Sequence, residues 1–269
     1  MTEPDRGRPA PTTSGASPDP ARPDPARDPA SPPVDLLGAV AYGALTAFTR
    51  LAADAALAPD LTGRAEMAAL AAVEMAHVER VRAHLGARGV DLVTAMAPFA
   101  PVLDAFAART ASREWGEALV GAYAGRTLAV DLVAATGAAD GGASDGAADG
   151  GAADGVSGGA PDAAPDAAPD DPRGAELLRG PDTGREATGA SGFDAFAERA
   201  VGELVTDEQI RGRLAMWGRR LLGETLAAAT EVLEEHPRAA SALLGGTSRD
   251  VVFKALKSRH TKRMRALGL

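Results

Sequence analysis

Two residues that rarely lie on the buried face of a helix do so in the segment spanning residues 64–85. Glu74 and His77 stand three residues apart, in register with an apolar stripe. Positions three apart are neighbours on one helix face, so the carboxylate and the imidazole converge on one point. A buried carboxylate is costly unless something compensates it. The stripe is formed by Met67, Leu70, Ala71, Val78, Val81 and Leu85.

The Glu-x-x-His spacing has two interpretations. Facing the inside of a helical bundle, it is the spacing with which di-iron four-helix proteins bind one half of their metal site. The same spacing also fits a hydrogen-bonded Glu–His pair at a helix–helix seam, or a pair at the rim whose tips reach water. Because the motif is short and common, the spacing alone favours the second interpretation.

Composition excludes several kinds of chemistry. The chain has no cysteine, which rules out disulfides, iron–sulfur clusters and cysteine nucleophiles. Its net charge of −9 argues against general, charge-driven binding of nucleic acid. It has neither an apolar run of membrane-spanning length nor a secretory signal, so we expect no membrane segment and a cytoplasmic location.

Two low-complexity segments divide the chain. Residues 1–33 are rich in Pro, Asp, Arg and Ala and predict a disordered tail. Residues 137–192 carry near-repeats such as GAADG and APDAAPD and resemble a flexible insertion. The remaining residues, 34–136 and 193–269, show helical periodicity and no convincing alternating strand. The sequence therefore predicts an all-α bundle interrupted by one insertion.

The apolar stripes and the capping residues predict where each helix begins and ends. Asp35 is predicted to cap the first helix, Asp60 or Thr62 the second, and Asp207 or Thr206 the long helix near the C-terminus, which Pro237 ends. Ala44 lies midway along the stripe of the first helix. The predicted helices span residues 36–57, 64–85, 114–136, 193–205, 208–235 and 249–267, with a short helical piece at 102–108 in a packed connection.

The last predicted helix is basic. Its cations could contact RNA phosphates, but cations at a helix C-terminus also complement the helix dipole or pair with acidic segments of the same chain. The chain has few aromatic residues to stack on bases, which argues against RNA as a partner. The cations are Lys254, Lys257, Arg259, Lys262, Arg263 and Arg265.

Several ordered runs of the sequence together resemble a bacterial group of ferritin-like-fold proteins, which is similar in turn to the tRNA-modifying di-iron hydroxylases that act on a hypermodified adenosine. The resemblance covers roughly residues 34–136 and 193–269. It implies an antiparallel four-helix bundle with extra C-terminal helices and an iron site that activates O2. The runs are DLLGAVAYGALTAFTRLAADAALAP, AALAAVEMAHVERVRAHL, APFAPVLDAFAARTASREWGEALVGAYAG, RGRLAMWGRRLLGETL and RHTKRMRALGL.

Carried onto this chain, the implied ligand set is incomplete. Glu74 and His77 match the second-helix pair. Asp131 is the carboxylate available on the third helix, and Glu198 and Glu203 are those available on the fourth. The first-helix carboxylate, expected in a run resembling Y-G-E-L, is replaced by Ala44. The fourth-helix histidine has no counterpart where the insertion ends.

Because a di-iron centre needs several carboxylates to neutralise its charge, the sequence predicts an incomplete metal site with little or no redox activity. One alternative is an active iron-dependent hydroxylase, acting on a tRNA-like or other substrate, with Glu74, His77, Asp131 and Glu198 as metal ligands. Another is a non-catalytic helical interaction module that self-associates as a dimer.

Overall fold

A computed structural model of the chain describes residues 32–126, Leu177 and residues 190–269. All regular elements in these residues are helical, which confirms the predicted all-α class. They are α1 (Val34–Asp54), α2 (Leu61–Ala87), α3 (Leu92–Met96), α4 (Ala100–Arg109), α5 (Trp115–Arg126), α6 (Ala190–Leu204), α7 (Glu208–Glu235), α8 (Pro237–Leu244) and α9 (Arg249–Ala266), with 3-10 turns at Ala55–Leu57 and Ala97–Phe99.

The long helices form an antiparallel bundle with additional C-terminal helices, as predicted. The helices α1 and α2 pack along one another and are joined by a short connection, so they run in opposite directions. The helix α5 packs against α1, α6 and α7, while α9 lies on α7. The shorter helices α3, α4 and α8 cover α1.

Side-chain caps fix several helix starts. Asp60 accepts a hydrogen bond from the backbone N–H of Gly63 at 2.7 Å, and Asp207 accepts from the first turn of α7, so both predicted caps are confirmed. The prediction for Asp35 is wrong. This residue lies inside the first turn of α1 and Pro33 precedes the helix, although a carboxylate there still interacts favourably with the helix dipole.

Prolines begin helices in this fold as well as ending them. Pro237 ends α7, as expected, but it is also the first residue of α8, which the sequence pattern did not predict. Pro101 lies in the first turn of α4, and Pro98 in the 3-10 turn before it. Proline is tolerated at such positions because the N–H that it lacks has no partner within the helix there.

Most of the buried apolar residues that the structure describes fall into two clusters, and α2 belongs to both. The first joins the start of α2 and the end of α1 to α5, α6, α7 and α9. The second joins the C-terminal half of α2 to the start of α1 and to α3. Because Ala71 belongs to the first cluster and Val78 to the second, Glu74 and His77 lie at the level where the two meet.

A glycine permits the close approach of α1 and α3 in the second cluster. A Cβ atom on Gly38 would lie 2.1 Å from the carbonyl oxygen of Ala95, which is far inside van der Waals contact. Only a residue without a side chain fits there.

Within the predicted insertion, residues 137–192, the structure describes Leu177 and residues 190–192, which already belong to α6. Leu177 is buried and packs into the second apolar cluster. The composition of this segment predicts a flexible linker, but at Leu177 the chain packs against the bundle. The remainder of the insertion before Ala190, and the predicted extension of the third helix to residue 136, lie outside the described residues.

Two stretches, Val34–Leu57 and Leu92–Arg109, are long and apolar enough to span a membrane. From the sequence, no apolar run of that length is expected. The first includes the buried ion pair of Arg50 with Asp54. The apolar core helices of water-soluble bundles pass the same test, so these two stretches are weak support for a membrane location.

Candidate functional site

His77 is buried and bonded to the backbone of the insertion. Its side chain is among the few polar ones in the core, with 2 % of the residue exposed. The ring atom Nε2 lies 2.8 Å from the carbonyl oxygen of Leu177. A carbonyl only accepts, so this contact assigns the proton to Nε2 and leaves the lone pair on Nδ1. Burial lowers the pKa of His77, against the opposing effect of the Leu177 bond, and so favours the neutral ring.

Glu74 lies one turn before His77 on the same face of α2. It makes no hydrogen bond to any residue that the structure describes. Burial raises the pKa of Glu74 to about 7, although the positive charges of Arg126 and Arg80 act in the opposite direction. Near neutral pH this carboxyl group therefore exists in both its protonated and its ionised form.

An ion pair with a buried arginine joins α5 to α6, and the positive charge of this arginine acts on Glu74. The Nη2 atom of Arg126 contacts Oδ2 of Asp194, and the arginine side chain is only 8 % exposed. Among the residues that the structure describes, the buried Nε and Nη1 atoms of Arg126 have no hydrogen-bond partner, and neither has the buried Oδ1 of Asp194. Unpartnered buried polar atoms are uncommon in proteins and usually have a specific explanation.

A second polar contact joins the same two helices. The hydroxyl of Tyr123 donates a hydrogen bond of 2.8 Å to Oε1 of Glu198. Burial, together with the neighbouring Glu198 carboxylate, raises the pKa of Tyr123, so the phenol stays protonated. Glu198 itself is largely exposed to solvent.

The predicted site residues are therefore only partly brought together. Glu74 and His77 share the inner face of α2, and Ala44 is buried on α1 with 6 % of its surface exposed. Glu198 lies on α6 but is bonded to Tyr123 and faces solvent. Asp131 lies outside the described residues.

The side chains described here do not fit a di-iron centre. Within residues 32–126, Leu177 and 190–269, no group of three or more histidine, aspartate or glutamate side chains converges in a way that could hold a metal ion. The groups that surround Glu74 instead include a guanidinium, which stays positively charged at every physiological pH. Two divalent ions would need the opposite balance of charge.

The pattern of residue types did not assign a role to Arg126. A signal for it does exist, because Arg126 follows the buried Tyr123 by three residues and the buried Leu119 by seven. This spacing places the arginine on the inner stripe of α5. An arginine in register with an apolar stripe is as informative as the carboxylate at position 74.

Comparison with known proteins agrees with this architecture. A family model described as a ferritin-like domain of actinomycetes matches residues 30–176 and 184–247. A comparison with curated proteins found no match. The family match covers most of the chain and both halves of the bundle, and we conclude that the chain belongs to this actinomycete family of ferritin-like domains.

Proposed function

We propose that this protein is a ferritin-like bundle that has retained the fold without a complete di-iron site, and that it has little or no redox activity. The observation that carries the proposal is the Arg126–Asp194 ion pair, whose buried guanidinium acts on the charge of Glu74. The pair joins α5 to α6 and Glu74 lies on α2, and these are three of the four helices from which the resemblance to di-iron hydroxylases would draw metal ligands.

Charge is the first argument. A metal ion bound by Glu74 would share the bundle interior with the Arg126 guanidinium, whose charge already influences the Glu74 carboxylate. Two cations at short range in a low-dielectric interior repel each other strongly. The available negative charge is also reduced, because Asp194 is paired with the arginine.

The bonding of the other candidate ligands is the second argument. Glu198 accepts the Tyr123 hydroxyl and is exposed to solvent. On α1, the alanine at position 44 has no donor atom. The bond from Nε2 of His77 to Leu177 leaves Nδ1 available, so on α1 and α6 a ligand that a di-iron centre needs is replaced by an apolar side chain or by a carboxylate bonded to a tyrosine.

A single-iron hydroxylase is the second candidate, and one observation favours it. Glu74 is a partly buried carboxylate without a hydrogen bond in the described structure, one turn from an imidazole whose Nδ1 keeps its lone pair. Asp131 would be a further ligand in that case. The substrate class, tRNA-like or other, would then follow the resemblance to the hydroxylases.

Iron loading separates these two candidates. The full chain would be incubated anaerobically with Fe(II), freed of excess metal and analysed for iron per chain. Glu74→Ala is the test variant, and Glu79→Ala is the matched control, because Glu79 lies on the same helix in a solvent-exposed pair with Arg82. We expect substoichiometric iron in all three proteins. Stoichiometric iron that Glu74→Ala loses and Glu79→Ala keeps would contradict the proposal.

For a bundle without redox chemistry, we propose an interaction role in the cytoplasm, with self-association as a dimer. Light scattering of the purified full chain measures its mass in solution directly. A mass that stays monomeric over a wide concentration range would contradict the dimer.

A further inference from the structure

We infer that the guanidinium of Arg126 is the resident cation of this bundle, held in place by Asp194 and lying beside Glu74, where it supplies the positive charge that metal ions supply in di-iron bundles. This inference rests on the proposed function, since a chain that bound two iron ions at this level would have no room for it.

The ion pair links the cation to α6, and its electrostatic effect on Glu74 links it to α2. Arg126 is the last described residue of α5, Asp194 lies in the first turns of α6, and Glu74 is in the middle of α2. The arginine is bonded to the aspartate, and it lies close enough to Glu74 to oppose the effect of burial on that carboxyl group. The positive charge of Arg126 thus stabilises the ionised carboxylates of Asp194 on α6 and Glu74 on α2.

Packing alone does not account for an arginine at this position. Two of its nitrogen atoms are buried without a hydrogen bond to any described residue, which costs free energy that a methionine or leucine would not cost. What an apolar side chain could not provide is charge. The same argument holds for Asp194, whose Oδ1 atom is also buried and unpartnered.

If the guanidinium is the resident cation, removal of its charge should open the site to an external one. Glutamine is the most informative replacement, because Arg126→Gln retains hydrogen-bonding capacity but leaves Glu74 and Asp194 without a counter-charge. Arg126→Lys is the matched control, because it keeps the charge and changes the shape. Co²⁺ is the probe, because oxygen and imidazole ligands bind it and change its visible absorption.

The experiment is a Co²⁺ titration of the wild-type chain, Arg126→Gln, Arg126→Lys and the double variant Glu74→Gln/Arg126→Gln. We expect one Co²⁺ per chain in Arg126→Gln, bound at least about tenfold more tightly than by the wild type or by Arg126→Lys. We expect the double variant to lose this gain. A folded Arg126→Gln that binds Co²⁺ no better than the wild type would overturn the inference, as would a double variant that keeps the gain.

The outcome is distinguishable from failure of the proposed function. Stoichiometric iron in the wild type that depends on Glu74 would refute the proposed function. Absence of iron in the wild type, together with no gain in Arg126→Gln, would refute this inference alone.

A thermal-unfolding cycle decides the question if Arg126→Gln does not fold. The proteins are the wild type, Asp194→Asn, Arg126→Met and the double variant Arg126→Met/Asp194→Asn. If the arginine is there as a charge, Asp194→Asn lowers the melting temperature, and adding Arg126→Met to it restores part of the loss. Strictly additive losses would overturn the inference.

Discussion

Two arginine–aspartate ion pairs in this bundle differ in their hydrogen bonds to neighbouring residues. Arg50 and Asp54 lie on α1, with Nε and Oδ2 3.6 Å apart, and their side chains are 18 % and 8 % exposed. Arg126 and Asp194 join α5 to α6 and are comparably enclosed on the arginine side. The first pair belongs to a completed network, and the second leaves three polar atoms unpartnered.

The network around Arg50 ties α1 to the connection between α4 and α5. Arg50 donates from Nη1 to the hydroxyl of Thr110 at 3.0 Å, and the hydroxyl of Ser112 donates to Asp54 at 3.1 Å. Thr110 in turn donates to the carbonyl oxygen of Phe106. A buried network whose members are all bonded makes a structure rigid and unique.

The difference shows how structural and functional polar groups can be told apart in one molecule. Buried charge by itself does not mark a site, because the Arg50 network is as enclosed as the Arg126 pair. Unused bonding capacity distinguishes the two pairs, because among the described residues Arg126 and Asp194 together leave three buried polar atoms without a hydrogen bond and Arg50 and Asp54 leave none. The predictions below test that distinction, starting with the largest effect.

Removal of each arginine tests the contrast directly. We expect Arg50→Met to lower the free energy of unfolding by about 3 kcal/mol, because it leaves Asp54 buried without its counter-charge. Arg126→Met should cost only about 1 kcal/mol, since Asp194 is 38 % exposed and can turn towards water. Urea denaturation of both variants measures the two losses, and equal losses would contradict the comparison.

A glycine beside the completed network gives a second test. A Cβ atom on Gly121 would lie 2.6 Å from Nη2 of Arg50, a side chain that its hydrogen bonds hold in place. We expect Gly121→Ala to destabilise the fold by about 2 kcal/mol through overpacking. Gly125→Ala is the control on the same helix. Nothing lies within 4 Å of its added Cβ, so it should be neutral or stabilise by up to about 1 kcal/mol.

Glu74, which lies in the electrostatic field of Arg126, should make the free energy of unfolding depend on pH. Glu74 has a pKa of about 7 in the folded chain and one near 4.5 when unfolded. Between these values the folded state binds the extra proton, so the free energy of unfolding falls as pH rises. We expect a loss of about 1–2 kcal/mol, less than the full shift would give, because the carboxyl group keeps some exposure to solvent.

The measurement is the difference between the wild type and Glu74→Gln in urea denaturation from about pH 5 to about pH 8. The comparison with glutamine isolates Glu74 from His77, whose lowered pKa acts in the opposite direction and costs stability as pH falls below the ordinary histidine value. Parallel pH profiles of the two proteins would show that Glu74 titrates normally.

The long helices and their caps could be predicted from sequence because their signals are local. Asp207 with the stripe of α7, and Asp60 with that of α2, lie within a few turns of the residues that they organise. The start of α1 was misplaced because an acidic residue in the first turn resembles a cap. The sequence does not predict α8, because a proline after a long helical stripe normally signals the end of a helix.

The site was predictable only in part, for a different physical reason. The inward position of His77 follows from helical periodicity, and the structure buries it. Its hydrogen-bond partner Leu177 is 100 residues away in the chain, and Arg126 and Asp194 are separated by 68. No periodic pattern encodes such pairings, because they depend on how whole helices meet.

The bond from His77 to Leu177 fixes one residue between α5 and α6 and so separates two spans of unequal length in the sequence, residues 127–176 and 178–189. The entropy cost of closing a span between two fixed ends grows only slowly with its length, so the longer span can gain or lose many residues at little cost. The shorter span must still connect Leu177 to the start of α6. Deletions within residues 140–170 should therefore leave the His77 ring resonances in NMR spectra unchanged, whereas deletions within residues 178–189 should shift them.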